Sequence, residues 1–324
     1  MMRYRRLGRT GWQVSEIGFG AWGIGRSFWV GAEDQESLAA LHASIDAGVN
    51  FIDTALVYGD GHSETLVGQV VRERKERIYV ATKVPPLNEH WPALQNDLVP
   101  DCFPPDHILK STEQSLKSLK MDCVDLQQLH VWRDEWMEDQ RWLEALHKLK
   151  QQGKVRAIGV SINDHEPETA LKLVASGVID TVQVIYNIFD QSPNDALLPA
   201  CIKHDVGVLA RCPFDEGALT GAITADTTFP LGDWRHGYFK GNRKAQVAAR
   251  VEPLKKLLGS EAKTLPELSL RYCLAHPAVS TVIPGMRTRK HVTSNCAVSD
   301  GRRLSEGLLA KLKSHAWAKN FYDY

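Results

Sequence analysis

Apolar residues fall along the chain in two alternating periods. Short runs rich in β-branched and aromatic residues recur at residues 17–21, 49–52, 77–82, 123–129, 155–160, 181–186, 206–210 and 279–283, the composition and length of buried strands. Between them apolar positions sit three and four apart, which is the spacing of one helix face. Residues 36–47 follow this spacing up to Gly48; Ile108, Leu109, Leu116 and Leu119 share a face over residues 106–119; Trp142, Leu143, Leu146 and Leu149 repeat it before Gly153. A glycine just past the last periodic residue is a helix stop. Eight strands alternating with helices in 324 residues predict one α/β domain, residues 1–324, folded as a (β/α)8 TIM barrel. A doubly wound dinucleotide sheet is disfavoured, because no GxGxxG follows an early strand.

The irregular segments add detail to this frame. Tyr4 to Leu7 and Val14 to Ile17 flank the turn sequence GRTG, which predicts an N-terminal β-hairpin covering one end of the barrel. The connections at residues 85–105 and 217–243 are the longest; they carry Trp91, Trp234, Tyr238 and Phe239 and leave strands at their C-terminal ends. Long aromatic loops on that face are expected to act as lids.

Strand ends also collect the reactive side chains. In NFIDTALVYGDGHSE the run ends in Asp53, Tyr58 follows, and Ser63 is placed to cap the next helix. Lys83 ends IYVATK and His130 ends CVDLQQLH, so four ionisable groups converge on one rim, where barrel active sites draw on several strands. A phenol exchanges protons poorly near neutrality unless a cation stabilises its phenolate. Lys83 is suited to that, Asp53 to holding Lys83, and His130 to donating a hydrogen bond to an oxygen bound beside Tyr58. Such a set protonates a carbonyl oxygen while hydride reaches the carbon, and the hydride must come from a cofactor. In the first strand small residues let backbone approach a ligand, so Ala21 and Trp22 are expected at the cofactor; Trp22, Trp91 and Trp132, with Tyr58 and His130, are expected to wall the substrate pocket.

Composition narrows the partners. Lys plus Arg and Asp plus Glu both number 39, which gives no general attraction to nucleic acid or to an anionic membrane and favours a small-molecule substrate. The six cysteines show no CxxC spacing, so they read as packing thiols with no metal or disulfide framework. The basic N-terminus lacks the apolar stretch of a signal peptide, and no apolar run reaches membrane-spanning length; a cytoplasmic protein is the expectation. Oligomeric state is not legible.

Taken together, RRLGRTGWQVSEIGFGAWGIG, FIDTALVYGDGHSE, YVATK, LQQLH, KVRAIGVS, VQVIYN and VIPGMRTRKHVTSN resemble the aldo-keto reductase superfamily over nearly the whole chain, closest to bacterial reductases and potassium-channel β-subunits. The resemblance implies an NADP(H)-dependent carbonyl reductase with the tetrad Asp53, Tyr58, Lys83 and His130. It implies that Ser161 and Gln183, with Asn163 in place of a more usual asparagine, meet the nicotinamide carboxamide. Cys212, Pro213, Phe214, Gly217 and Leu219 would wrap the pyrophosphate, and Gly285, Met286, Arg287, His291 and Asn295 would take the adenosine phosphate end. Arg211 stands where the family often has an aromatic residue stacked on the nicotinamide. A free guanidinium there would disfavour the oxidised, cationic ring, unless it pairs with Asp215, Glu216 or a cofactor phosphate. Two other readings stay open: a sensor subunit that binds NADPH, against which the lack of an extended segment ahead of the barrel weighs, and an aldolase forming a Schiff base on Lys83.

Overall fold

The computed structural model describes residues 1–322. An antiparallel hairpin of β1 (Tyr4–Arg6) and β2 (Gln13–Ser15) precedes eight parallel strands. These are β3 (Phe19–Gly20), β4 (Phe51–Asp53), β5 (Tyr79–Val84), β6 (Val124–Leu129), β7 (Val155–Ser161), β8 (Thr181–Ile185), β9 (Gly207–Arg211) and β10 (Val279–Val282). They pair in sequence order, and bridges from Ile17 to Val282 and from Gly20 to Gly285 join the first strand to the last, closing a (β/α)8 barrel. Each apolar run picked out by its period is one barrel strand.

Helices surround the sheet: α1 (Asp34–Asp46), α2 (His62–Glu73), α3 (Val99–Cys102), α4 (Pro105–Leu119), α5 (Arg141–Gln151), α6 (Leu171–Ser176), α7 (Leu197–Lys203), α8 (Arg235–Tyr238), α9 (Arg243–Lys255), α10 (Leu265–Ala275), α11 (Arg289–Cys296) and α12 (Glu306–Lys313). The short α3 and α8 lie inside the two long connections. α4 buries Ile108, Leu116 and Leu119, with Ser111, Thr112 and Ser115 beside them; α5 buries Trp142, Leu143, Leu146 and Leu149. Among the described residues no helix is long and apolar enough to cross a membrane.

Inside the barrel, side-chain alternation makes two layers. Leu7 and Val14 of the hairpin segment pack with Phe51, Ala81, Leu126, Ala157, Leu209 and Ile283 in an apolar floor. Two residues further along their strands, β4, β5, β6 and β9 bring Asp53, Lys83, Gln128 and Arg211 to the same interior. The hairpin closes the floor tightly: a Cβ on Gly8 would meet the Gly207 nitrogen at 2.2 Å, and Trp12 stacks on Tyr79 with centroids 4.9 Å apart. At the opposite face the chain after α12 returns over the rim, where Lys319 pairs with Asp215 at 2.9 Å and the Tyr322 ring stacks on Trp234 at 6.1 Å.

One contact between helices gives a prediction with opposite signs at two sites. A Cβ on Gly68 of α2 would meet the Leu119 carbonyl oxygen of α4 at 2.0 Å, whereas one on Gly307 of α12 meets nothing within 4 Å. Gly68→Ala is expected to destabilise the protein by about 1–3 kcal/mol through overpacking, while Gly307→Ala is neutral or stabilises it by up to about 1 kcal/mol. Thermal unfolding midpoints of the two variants check this.

Candidate active site

The site is built around a lysine that has no solvent exposure. Lys83 Nζ donates to Asp53 Oδ2 at 2.6 Å, to the Thr54 carbonyl at 2.7 Å and to the Tyr58 hydroxyl at 3.4 Å. All three ammonium protons therefore have acceptors. The other carboxylate oxygen of Asp53 accepts from Gln183 Nε2 at 2.8 Å and Gln128 Nε2 at 3.3 Å. Neighbouring and opposite strands thus satisfy an ion pair that would otherwise pay heavily for desolvation.

Tyr58 lies in the turn after β4, and backbone crossing fixes that turn. Gly59 has φ +69°, and a Cβ there would meet the Gly25 carbonyl oxygen at 1.9 Å, so only glycine lets the two segments touch. The Tyr58 ring is 5.8 Å from the His130 ring and 6.1 Å from Trp22, which lies roughly parallel to it. Trp91 stands edge-on to His130 at 4.4 Å. The structure therefore gathers Asp53, Tyr58, Lys83, His130, Trp22 and Trp91 at one rim.

Burial raises Tyr58 well above the ordinary phenol range, and Asp53 adds to this. Burial lowers Lys83, opposed by Asp53. Burial, then the charges of Lys83 and Arg211, hold His130 well below the ordinary imidazole range. At neutral pH Tyr58 keeps its proton and His130 is neutral, so the Asp53–Lys83 pair leaves the group without net charge. A phenol resting on an ammonium can release a proton to an acceptor, because the phenolate left behind is stabilised at once. The Lys83 nitrogen is already engaged by Asp53, the Thr54 carbonyl and Tyr58, which disfavours a Schiff base on it.

Several positions differ from the sequence expectation. Ser63 does not cap α2: Gly61 is the cap residue, and Ser63, already inside the helix, donates to the Ala21 carbonyl at 2.9 Å and pairs with Thr54 Oγ1 at 2.9 Å. Trp132 is not brought to the rim; it is fully buried, with Trp142 at 4.9 Å and Trp136 at 5.7 Å. Asn163 receives the Ala93 N–H and donates to the Ala93 carbonyl, each at 3.2 Å, so its amide is engaged by the loop after β5. Arg211 pairs with Asp164 and donates to the Ile162 carbonyl at 3.0 Å, not with Asp215 or Glu216. The uncompensated cation expected from the sequence is absent, because Asp164 balances it.

The remaining expected cofactor residues lie in or after β7, β8, β9 and β10. Ser161 and Gln183 end β7 and sit in β8. After β9, Cys212, Asp215, Glu216 and Gly217 all have positive φ, which coils the segment holding Pro213, Phe214 and Leu219 into a tight turn. Within it the Cys212 thiol donates to Glu216 Oε1 at 3.0 Å, and burial pushes Glu216 up to about 7. Past β10, Gly285 leaves open space around its Cα, Met286 is fully buried, Arg287 donates to the Val30 carbonyl at 3.1 Å, His291 gives its backbone N–H to the Thr288 cap at 3.2 Å, and Asn295 is buried. Sequence reasoning missed Gln128, Thr54 and Asp164. Period two back from His130 could have found Gln128; Thr54 acts through its carbonyl, and nothing in the pattern marks Asp164.

A closed (β/α)8 barrel with a buried Asp–Lys pair, a half-buried Tyr and a neutral histidine at its strand ends has the form of an enzyme. The chain belongs to the Aldo/keto reductase family, whose model matches residues 16–316, and is therefore an oxidoreductase of a family that binds nicotinamide cofactors. It is 31% identical to the aldo-keto reductase YhdN of Bacillus subtilis over 88% of this chain and 85% of that one. It is 28% identical to the NADH-specific methylglyoxal reductase of Escherichia coli over 90% of this chain and 91% of that one. The glycerol dehydrogenase structure from Gluconobacter oxydans superposes with a TM-score of 0.78 at 30% identity, covering 96% of this chain and 94% of that one.

The buried pair sets the next expectation. Lys83→Met leaves Asp53 inside the barrel without its cation and is expected to destabilise the fold by about 3–5 kcal/mol. Lys83→Met combined with Asp53→Asn removes both charges and should recover part of that loss. Denaturant midpoints of the single and double variants test this; a double variant less stable than the single would contradict it.

Proposed function

We propose that the protein is an NADPH-dependent reductase of aldehydes or ketones, sugars among them, in which Tyr58 gives the proton to the carbonyl oxygen. The observation that carries this reading is the Lys83 ammonium shared between Asp53, Thr54 and the Tyr58 hydroxyl. The residues present fit a phosphorylated nicotinamide cofactor. Arg287, Arg289 and Lys290 cluster at the start of α11, a cationic patch suited to phosphate, and the buried Arg211 Nε lacks a partner near the tetrad. A bound reduced nicotinamide supplies the hydride.

The side chains do the rest. Trp22 and Trp91 flank the tetrad and exclude water from one side of the bound carbonyl. His130, neutral, donates to the carbonyl oxygen and orients it towards Tyr58. Tyr58 passes its proton to that oxygen, and Lys83 stabilises the phenolate until solvent restores the proton. Asp53, fixed by Gln183 and Gln128, keeps Lys83 aimed at Tyr58. The Escherichia coli and Gluconobacter oxydans relatives are a methylglyoxal reductase and a glycerol dehydrogenase, which favours small hydroxylated or dicarbonyl compounds first in a substrate panel read at the cofactor's absorbance.

Tyr58→Phe is expected to lower turnover by about 10²–10⁴-fold while NADPH affinity by fluorescence titration stays nearly unchanged. In the wild type the rise of Tyr58 and the fall of His130 move both titrations outside the neutral range. The reductive kcat/KM should therefore stay level from about pH 7 to about pH 9, between the ordinary imidazole and phenol values. Near wild-type turnover in Tyr58→Phe on a substrate whose chemical step limits the rate would remove the assignment.

Cofactor choice is tested separately, since the Escherichia coli relative is NADH-specific. kcat/KM is expected to be higher with NADPH than with NADH, and Arg287→Ala should shrink that ratio by roughly tenfold, the loss of one charged phosphate contact. Equal efficiencies with both cofactors, unchanged by Arg287→Ala, would show that Arg287 serves only to hold the Val30 loop.

A further inference from the structure

The loop of residues 85–104 is braced from within around one carboxylate. Asp97 accepts from Asn88 Nδ2 at 3.0 Å and from the Leu94 N–H at 2.7 Å, and its Oδ1 lies 2.8 Å from His90 Nδ1. Its carbonyl accepts from Trp136 Nε1 at 2.8 Å. A loop tied to itself in this way moves as one piece, so each tie from outside bears on the position of the whole. Besides the tie from Trp136, which lies outside the loop, the loop is held at Ala93, itself 3% exposed. Asn163 Oδ1 takes the Ala93 N–H and Asn163 Nδ2 gives a proton to the Ala93 carbonyl, both at 3.2 Å. Its other amide proton goes to Glu166 Oε2 at 3.1 Å.

The side-chain amide thus pairs with Ala93 as one peptide group pairs with another in a sheet, and this reciprocal bonding fixes which way the amide faces. With both protons committed, Asn163 has none to give a cofactor carboxamide. Two residues from the anchor, Trp91 stands edge-on to His130 at 4.4 Å and remains 39% exposed at the mouth.

We propose that Asn163 is a positioning residue that docks the loop after β5 on the rim, and that Trp91, placed by this anchor against His130, is the specificity-determining wall met by the substituent on the substrate's carbonyl carbon. The claim on specificity rests on the carbonyl-reductase reading above; the anchor does not.

The experiment compares wild type with Asn163→Ala, Trp91→Ala and the double variant. Hydrogen–deuterium exchange of residues 86–98 should quicken in Asn163→Ala by about tenfold or more, with the barrel strands unchanged, as expected of a loop freed locally. KM for bulky carbonyl substrates should rise about tenfold in each single variant and little further in the double, the signature of residues acting through one contact. NADPH affinity should stay within about twofold, under half a kcal/mol. Unaltered loop exchange in Asn163→Ala overturns the anchor, and that arm needs neither cofactor nor turnover. Additive KM effects, or a KM in Trp91→Ala that is unchanged for bulky and small substrates alike, overturn the specificity wall. A fall of about tenfold in NADPH affinity with the loop still protected would make Asn163 a cofactor ligand instead.

Discussion

An ammonium group without solvent contact is tolerable only where each of its protons meets an acceptor and its charge meets a partner. Lys83 meets that condition through groups from several elements. Asp53 ends β4, Thr54 and Tyr58 follow it, and the glutamines that complete Asp53 come from β6 and β8. No two neighbouring strands could supply all of them, so the lysine is stable only in a closed barrel. The same set of bonds that makes burial of Lys83 possible delivers its third proton to the Tyr58 oxygen. Stability of the interior and readiness of the phenol are therefore one constraint.

The period of a strand turns that constraint into a layered interior. Phe51, Ala81, Leu126 and Leu209 form the apolar floor sealed by Leu7 and Val14, and the residues two places further on are Asp53, Lys83, Gln128 and Arg211. A one-residue slip in β4 or β5 would turn the carboxylate and the ammonium out towards the helices. The floor resists such a slip, because the large Phe51 side chain, fully buried there, would leave a hole that the neighbouring alanine at position 81 is too small to fill. Thus the apolar floor fixes the register on which the chemistry above it depends.

How much of this was legible follows from where each residue sits. The eight strands and the residues at or near their ends were readable, because burial on both faces writes a continuous apolar run and the first polar residues after it must lie at the rim. Asp53, Lys83 and His130 could be placed in this way. Ser63 was misread because capping chemistry and tertiary hydrogen bonding use the same hydroxyl, and only the position of Ala21 and Thr54 decides between them. Trp132 was misread because an aromatic residue beyond a strand end can turn to the rim or to the helix layer; Trp136 and Trp142 lie in the latter. Asn163 and Arg211 stand beside cofactor-type strand ends, yet their partners Ala93 and Asp164 lie in loops whose course has no period to read.

One of those loop partners, Asp164, changes the electrostatics that the strand ends alone would suggest. From the strands, the rim carries Lys83 and Arg211 against Asp53, an excess of one cation beside Tyr58. Asp164 cancels that excess, and His130 stays neutral because burial and the remaining field of Lys83 and Arg211 oppose its protonation. A carbonyl entering such a site would meet dipoles and two balanced pairs, Lys83 with Asp53 and Arg211 with Asp164. On the proposed reading, an ammonium held in advance on the Tyr58 hydroxyl would act on the transition state more than on the bound substrate, which is the condition for an electrostatic group to speed a reaction instead of merely tightening binding. Had Arg211 been left without Asp164, the site would have held a standing positive potential that attracts anions indiscriminately. The loop carboxylate therefore balances Arg211, and the ammonium in contact with the Tyr58 hydroxyl is that of Lys83.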